Sequence, residues 1–170
     1  MRIRLNGEVG HTKRRRAVKY GRPDGEEEQR MRQLRPWLWI GTRHDVRNQT
    51  LLWGHRITAM LELATGVQVP GIVCHILPIE DTEPIHPLVV REGVEFVLKQ
   101  HEAGGTVLIT CGGGFSRSVS FAVAVLHETE GMSLSEALED VRAQHPEADP
   151  HPVLWQSIRD YYEGGWPSGK

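Results

Sequence analysis

The sequence has little of what defines several large classes of protein. Its 170 residues include only two cysteines, Cys74 and Cys111, which cannot build a disulfide framework and indicate a reducing, cytoplasmic setting. No apolar run approaches the roughly 18 residues of a membrane span, and the first residues lack the apolar segment of a signal peptide. No cysteine or histidine pair has zinc-binding spacing. We therefore expect neither a metal nor another cofactor.

Charge is distributed unevenly along the chain. Residues 1–35 contain 11 lysines and arginines against 5 acidic residues, whereas residues 36–170 contain 9 against 17. We interpret residues 1–35 as a solvated basic extension, residues 36–165 as one globular domain and residues 166–170 as a loose tail. A tether to RNA or to a membrane surface is the alternative for the extension. Its arginine run is not interleaved with aromatic residues, so we expect no nucleic-acid partner that binds through base stacking.

From residue 36 onward, strand patterns alternate with helix patterns. The apolar patterning predicts strands over residues 37–41, 57–64, 72–79 and 106–110, and helices over residues 44–52, 88–102, 118–130, 134–144 and 152–163. This alternation predicts a single-domain α/β fold with a mostly parallel sheet of about four or five strands flanked by helices. The almost continuous apolar run over residues 72–79 predicts a central strand that is covered on both faces.

Residues 107–120, VLITCGGGFSRSVS, read as a strand, a glycine-rich loop and the start of a helix. Glycines let backbone N–H groups converge on one point, and the helix start adds free N–H groups and the positive end of its dipole. Arg117 supplies a planar fork that can bind two phosphate oxygens at once. The same field favours the thiolate of Cys111, which is the form that attacks. The stretch therefore predicts a phosphate cradle with phosphorus above the sulfur.

This stretch also resembles the signature of a known family. Cys111, Gly114, Arg117 and Ser118 have the spacing of the cysteine-based protein phosphatases, and the small dual-specificity branch is the most similar. The resemblance spans residues 37–163. The family usually has histidine before the cysteine, where this chain has Thr110. The resemblance implies a phosphate-binding loop made of Gly112, Gly113, Gly114, Phe115, Ser116 and Arg117.

The resemblance also implies a general acid and a two-step reaction. The segment LPIEDTE is similar to the family's acid loop, and Asp81 falls on the position of the acid, with Glu80 and Glu83 as neighbouring candidates. Cys111 attacks phosphorus while Asp81 protonates the departing oxygen, and Asp81 then activates the water that hydrolyses the cysteinyl-phosphate. Ser118 can hydrogen-bond the sulfur and help it leave. The implied partners are proteins or peptides phosphorylated on tyrosine and on serine or threonine.

Other interpretations stay open at this point. A catalytically weak phosphate-binding or scaffolding module is one, because Thr110 departs from the family pattern. A phosphatase that acts on a sugar, lipid or RNA 5′ phosphate is another. A rhodanese-type sulfurtransferase also uses a cysteine loop, but the spacing of Cys111 and Arg117 and the Asp81 segment favour a phosphatase. Cys74 is either a buried small apolar residue or a resolving thiol for Cys111. The isolated histidines, among them His75, His127 and His145, are expected to be ordinary surface or hydrogen-bonded residues.

Overall fold

The computed structural model describes residues 31–64 and 66–164, which fold around a five-stranded sheet. The strand order is β1-β2-β5-β3-β4, with β2, β5, β3 and β4 parallel to one another and β1 antiparallel to β2. The elements are β1 Arg32–Arg35, β2 Leu38–Thr42, α1 Arg43–Arg47, α2 Gln49–Gly54, β3 Ala59–Glu62, β4 Val73–Ile76, α3 Pro87–Glu102, β5 Val107–Cys111, α4 Arg117–Glu130, α5 Leu134–Gln144 and α6 Pro152–Glu163. The predicted α/β fold with a mostly parallel sheet is confirmed.

The strand β5 occupies the centre of this sheet. It pairs with β2 on one side and β3 on the other, and all five of its residues are buried. Such double pairing suits its apolar and β-branched sequence, VLITC, because both faces of the strand are covered. Its last residue, Cys111, pairs in register with Thr42 at the end of β2. Parallel strands end at the same edge of a sheet, which is where such folds bind ligands.

The two faces of the sheet carry unequal cores. The larger cluster lies under α3, α4, α5 and α6, and the smaller one lies under the short helices α1 and α2. The helix α4 is the centre of the larger cluster, because residues 118–126 are all buried. Its run of small and apolar residues, SVSFAVAVL, allows this close contact with the sheet and with the neighbouring helices. The catalytic loop predicted from the sequence therefore leads directly into the most buried helix.

Helix boundaries follow local signals that the sequence contains. The capping box predicted before α5 is present, since Ser133 Oγ accepts from the Glu136 N–H and the Glu136 carboxylate accepts from the Ser133 N–H. Proline occupies the first position of α3 and of α6, where a missing N–H costs nothing. In residues 31–64 and 66–164, no helix is both long enough and apolar enough to cross a membrane.

The structure places the first strand earlier than the sequence analysis did. Residues 32–35, which we assigned to the basic extension, form β1 and bury Leu34 to 2% exposure. Arg35 donates to Glu130 at 2.5 and 2.7 Å and lies 2.9 Å from Asp140, so it ties the strand to α4 and α5. The hydrogen bond from Arg35 lowers the pKa of Glu130. The predicted boundary at Pro36 is therefore too late, while residues 1–30 and 165–170 lie outside the described residues.

The strand β4 is at the edge of the sheet, which corrects the prediction of a central strand. It pairs only with β3, and Val73 is 55% exposed. The apolar run over residues 72–79, on which that prediction rested, contributes to a different core cluster at each end. Ile72 packs in the smaller core cluster, whereas Leu77 and Ile79 pack against the larger one. Their apolar character reflects the segments that flank the strand, so it does not require neighbours on both sides.

Two truncations test where the folded unit begins. Removing residues 1–30 should leave the thermal midpoint nearly unchanged, whereas removing residues 1–35 should lower it by about 5 °C or more. The longer deletion loses β1 and the burial of Leu34, which alone contributes about 1.5–3 kcal/mol. Circular dichroism on both chains gives the comparison. An equal loss of stability in the two truncations would show that residues 1–30 belong to the folded unit.

Candidate active site

The Cys111 side chain is held at the junction between β5 and the following loop. It is 2% exposed, and its sulfur lies 3.2 Å from the N–H of Gly114, which donates to it. Ser118 Oγ, in the first turn of α4, lies 3.2 Å from the same sulfur. Hydrogen bonds to a sulfur from an N–H or O–H group favour its charged form. The sequence prediction that Ser118 contacts the sulfur agrees with this geometry.

A small cavity of about 50 Å³ opens beside this sulfur. It is lined by Asp81, Cys111, Gly113, Phe115, Ser116 and Arg117. The structure therefore brings the predicted acid, nucleophile and arginine to one place, although Asp81 lies 30 positions before Cys111. Gly112 and Gly114, which were also predicted to bind phosphate, are not among the lining residues.

Arg117 connects the phosphate loop to the acid loop. Its Nη1 donates to the Ile79 carbonyl at 3.0 Å, and its Nε lies 3.8 Å from Asp81 Oδ1. Among the described residues, neither Arg117 Nε nor Asp81 Oδ1 has a hydrogen-bond partner, although both atoms are buried. A Cβ at residue 112 would lie 3.1 Å from Arg117 Nη2, so Gly112 leaves room for the guanidinium. Arg117 Nε is thus available to donate to a bound anion, and the Asp81 carboxyl can do so only when it is protonated.

Three acidic residues compete for the role of acid in the sequence, and the structure separates them. Asp81 is half-buried and lines the cavity. Glu80 and Glu83 are exposed and are not among the cavity-lining residues. Geometry therefore favours Asp81 over its two neighbours, because a general acid must reach the atom it protonates.

The turn of the loop depends on Gly114. Its φ of +73° lies in the left-handed region, which residues with a side chain rarely adopt. A Cβ at this position would also lie 3.0 Å from Thr42 Cγ2 and 3.1 Å from the Gly41 carbonyl oxygen. Gly113 is constrained differently, because a Cβ there would lie 2.3 Å from the ring of Phe115. The aromatic ring of Phe115 therefore covers the place where a side chain of residue 113 would lie.

Comparison with known proteins decides the family. Residues 38–164 match the model of the dual specificity phosphatase catalytic domain. The chain belongs to the dual specificity phosphatase catalytic domain family. Dual specificity protein phosphatase 1B of Arabidopsis thaliana is 30% identical over 133 residues, which cover 76% of this chain and 80% of that relative.

Other relatives are longer than this chain. The matched region covers 64% of dual specificity protein phosphatase 1 of Arabidopsis thaliana, at 28% identity over 127 residues and 72% of this chain. It also covers 64% of dual specificity protein phosphatase 19 of Mus musculus. The crystal structure of human DUSP28 superimposes with a TM-score of 0.72 at 24% identity, covering 79% of this chain and 94% of that one. This last likeness shows the fold.

Thr110, the departure from the phosphatase signature, makes no hydrogen bond to the loop. It is fully buried, and its Oγ1 has no hydrogen-bond partner among residues 31–64 and 66–164. Side chains alternate along a strand, so Thr110 points to the opposite face from Cys111. The hydroxyl therefore does not steady the loop. The hydrogen-bonding groups beside the sulfur are instead the Gly114 N–H and Ser118 Oγ.

The two cysteines are too far apart to form a disulfide. The strand β3 lies between β4, which carries Cys74, and β5, which carries Cys111. Two interstrand spacings amount to about 9.6 Å, and the Cα atoms of a disulfide are rarely more than about 7 Å apart. Cys74 also packs against the smaller core cluster, whereas Cys111 belongs to the larger one. The placement favours the interpretation of Cys74 as a small apolar residue.

Residues 145–151 contact the loop from outside, and nothing in the sequence predicts this. His145 Nε2 lies 2.8 Å from the Gly114 carbonyl oxygen, the Asp149 N–H donates to the Phe115 carbonyl, and the His151 N–H donates to Ser116 Oγ. No charge pattern or motif marks residues 145–151, HPEADPH, as part of a site. His75 and His127 fit the expectation of ordinary hydrogen-bonded residues, with partners Glu92 and the Met132 carbonyl.

A larger surface groove does not contain the chemistry. Its volume is about 490 Å³, and it lies between β4 and α3, where Phe96 stacks on His75. None of the residues predicted to bind phosphate or to act on it lines this groove. The small cavity beside Cys111 is therefore the candidate active site.

Two buried hydroxyls near the sulfur give a matched test of this site. Ser118→Ala removes the hydroxyl that lies 3.2 Å from the Cys111 sulfur, so iodoacetate should inactivate the variant more slowly than the parent at neutral pH. Thr110→Val removes a buried hydroxyl that has no hydrogen-bond partner among the described residues, so the alkylation rate should stay at the parent value and the stability should stay the same or rise. The measurement is the alkylation rate of the three proteins at one pH. A larger loss of rate for Thr110→Val than for Ser118→Ala would contradict this geometry.

Proposed function

We propose that this protein hydrolyses phosphate monoesters through a cysteinyl-phosphate intermediate. The observation that carries the proposal is the convergence of Cys111, Arg117 and Asp81 on one small cavity. A buried thiol that accepts a backbone N–H, an arginine with an unpartnered Nε and a nearby carboxylate are the parts that this chemistry requires. Membership in the dual specificity phosphatase family supports the same reaction.

The first step forms the intermediate. The Cys111 thiolate attacks phosphorus, a sulfur–phosphorus bond forms, and the bond to the ester oxygen breaks on the opposite side. Asp81, entering protonated, donates its proton to the departing oxygen. Arg117 and the N–H groups of the loop hold the other phosphate oxygens, whose charge redistributes in the transition state.

The second step regenerates the enzyme. Asp81, now a carboxylate, takes a proton from water while the water oxygen attacks phosphorus. The sulfur–phosphorus bond breaks, and the sulfur leaves as a thiolate that Ser118 and the Gly114 N–H stabilise by hydrogen bonding. Inorganic phosphate is released. No redox change occurs in either step, and the sulfur must stay reduced, which is the reason for proposing a reducing compartment such as the cytoplasm.

We propose phosphorylated proteins as substrates, with phosphate on tyrosine and on serine or threonine. The names of the relatives support this class of substrate. The loop positions 112–116 carry no lysine or arginine, and the exposed Glu80 and Glu83 neighbour the acid. A substrate with several phosphates would find little cationic charge here, so polyphosphorylated lipids and RNA 5′ ends are disfavoured. A phosphate-binding module without turnover is the second candidate. It is supported by Thr110, which occupies the position where the family usually has histidine.

Turnover of para-nitrophenyl phosphate tests the proposal directly. The parent should release phosphate, orthovanadate should inhibit it, and Cys111→Ser should retain less than about a thousandth of the rate because the alcohol is a poor nucleophile here. The same variant should still bind phosphopeptides, which allows a panel of phosphopeptides and phosphorylated metabolites to be screened for trapped substrates. Vanadate binding by a parent that shows no turnover would favour the phosphate-binding module.

The acid assignment has its own test. Asp81→Asn should lower turnover by about 10²–10⁴, the usual contribution of general acid catalysis. The loss should be greater for alkyl phosphates than for aryl phosphates, because a good leaving group needs less protonation. Glu80→Gln and Glu83→Gln, which change exposed neighbours in the same loop, serve as matched controls. The assignment is wrong if either control loses more activity than Asp81→Asn.

A further inference from the structure

The outer side of the phosphate loop is bound by residues 145–151, which we call the clamp segment. Three successive loop residues each make one hydrogen bond to it. The Gly114 carbonyl bonds to His145, the Phe115 carbonyl to the Asp149 N–H at 2.8 Å, and Ser116 Oγ to the His151 N–H at 3.0 Å. None of residues 145–151 lines the cavity beside Cys111. The contacts to the Gly114 and Phe115 carbonyls therefore act on the orientation of the loop backbone, and the third contact holds the Ser116 side chain.

Backbone geometry converts these outer contacts into an effect on the inner side. A trans peptide is planar, so its C=O and the N–H of the next residue point in opposite directions. Holding the Gly114 carbonyl outward therefore aims the N–H of Phe115 inward. Holding the Phe115 carbonyl outward does the same for the N–H of Ser116. Both Phe115 and Ser116 line the cavity, where such N–H groups can bind phosphate oxygens.

His145 is the contact with the strongest constraint. It is 2% exposed, and its backbone N–H closes the end of α5 by donating to the Val141 carbonyl at 2.8 Å. A carbonyl only accepts, so Nε2 must carry the proton that it shares with Gly114. Nδ1 is buried without a hydrogen-bond partner in the described part of the chain. The ring therefore makes a single polar contact, and that contact is the loop.

The clamp segment is itself held in place. Arg142 Nε donates to the Ala148 carbonyl at 3.3 Å, and the Ala148 N–H donates to the His145 carbonyl at 2.9 Å. His151 also caps α6, accepting from the Val153 N–H. The segment is thus anchored by α5 on one side and α6 on the other, which gives the loop a fixed support.

We propose that His145 is a positioning residue for anion binding, because its Nε2–H bond to Gly114 aims the Phe115 N–H into the cavity. This inference rests on the proposed function for its relevance to catalysis, and it concerns a residue outside the phosphatase signature. His145 is not among the residues that line the cavity, so we expect it to act only through the hydrogen bond from Nε2 to the Gly114 carbonyl.

Two amide substitutions of His145 test whether the donor must extend as far as Nε2, or whether any polar side chain at this position is enough. In His145→Gln the side-chain amide can occupy the position of Nε2, whereas in His145→Asn it extends only as far as Nδ1. The orthovanadate dissociation constant, measured by calorimetry, should rise about tenfold or more in His145→Asn, which is the equivalent of one hydrogen bond. The dissociation constant should stay within about threefold of the parent in His145→Gln. The kcat/KM for para-nitrophenyl phosphate should fall in His145→Asn by a similar factor and change little in His145→Gln.

A matched control lies at the other end of α4. His127 Nδ1 bonds to the Met132 carbonyl at 2.6 Å, far along the chain from the loop. In His127→Gln the amide extends to the position of Nε2, whereas the hydrogen bond of the parent uses Nδ1, so this bond should be lost. It should leave the vanadate dissociation constant within about twofold of the parent, even where the thermal midpoint falls. A vanadate effect equal to that of His145→Asn would overturn the positioning role.

Ser116→Ala keeps the test decisive if His145→Asn does not fold. It removes the third clamp contact with little change in volume, and it should weaken vanadate binding about threefold or more. Parent-like vanadate affinity in Ser116→Ala and in every folded His145 variant would overturn the proposal, as would equal losses in His145→Gln and His145→Asn. If the parent binds vanadate without hydrolysing the ester, the proposed function fails while the vanadate affinities still test the clamp. A parent that does not bind vanadate overturns both.

Discussion

The left-handed turn at Gly114 is the constraint on which the rest of the site depends. It returns the chain toward β5 so that the Gly114 N–H meets the Cys111 sulfur, and a Cβ there would crowd Thr42 Cγ2 at 3.0 Å. A residue with a side chain would cost about 1–2 kcal/mol for the backbone alone. One residue without a side chain therefore sets the relative positions of the end of β2, the end of β5 and the start of α4.

Arg117 plays a second unifying role, because it belongs to the loop but also supports the acid segment. Its hydrogen bond to the Ile79 carbonyl fixes the chain two residues before Asp81, while its Nε stays directed to the cavity. A guanidinium can do both because its donors point in fixed and different directions. The positions of acid and nucleophile are thus coupled through one side chain, and the most buried helix of the fold holds that side chain at its first residue.

Features with local causes could be predicted from the sequence alone, whereas remote ones were predicted only where a family resemblance supplied them, as for Asp81. The capping box of α5 and the apolar strand that ends at Cys111 each depend on residues that are close together in sequence, and both are present. The strand β1 was missed because only Leu34 of its four residues is buried, which leaves too little pattern to detect. β4 was misplaced because flanking residues supply its apolar character. His145 was missed because its importance comes from a partner 31 positions away, and no spacing rule covers that distance.

The contact between the clamp segment and the loop has a consequence for how the molecule folds. The cavity and its supporting contacts draw on parts of the chain near residues 41, 80, 114 and 148. Contacts between residues so distant in sequence form only after long loops have closed, which makes them slow to assemble and mutually dependent. The unit formed by β5, the loop and the start of α4 holds five of the six lining residues, whereas Asp81 and the contacts that support the loop come from elsewhere in the chain. Anion binding by the complete site therefore reports on the folding of regions that are distant in sequence.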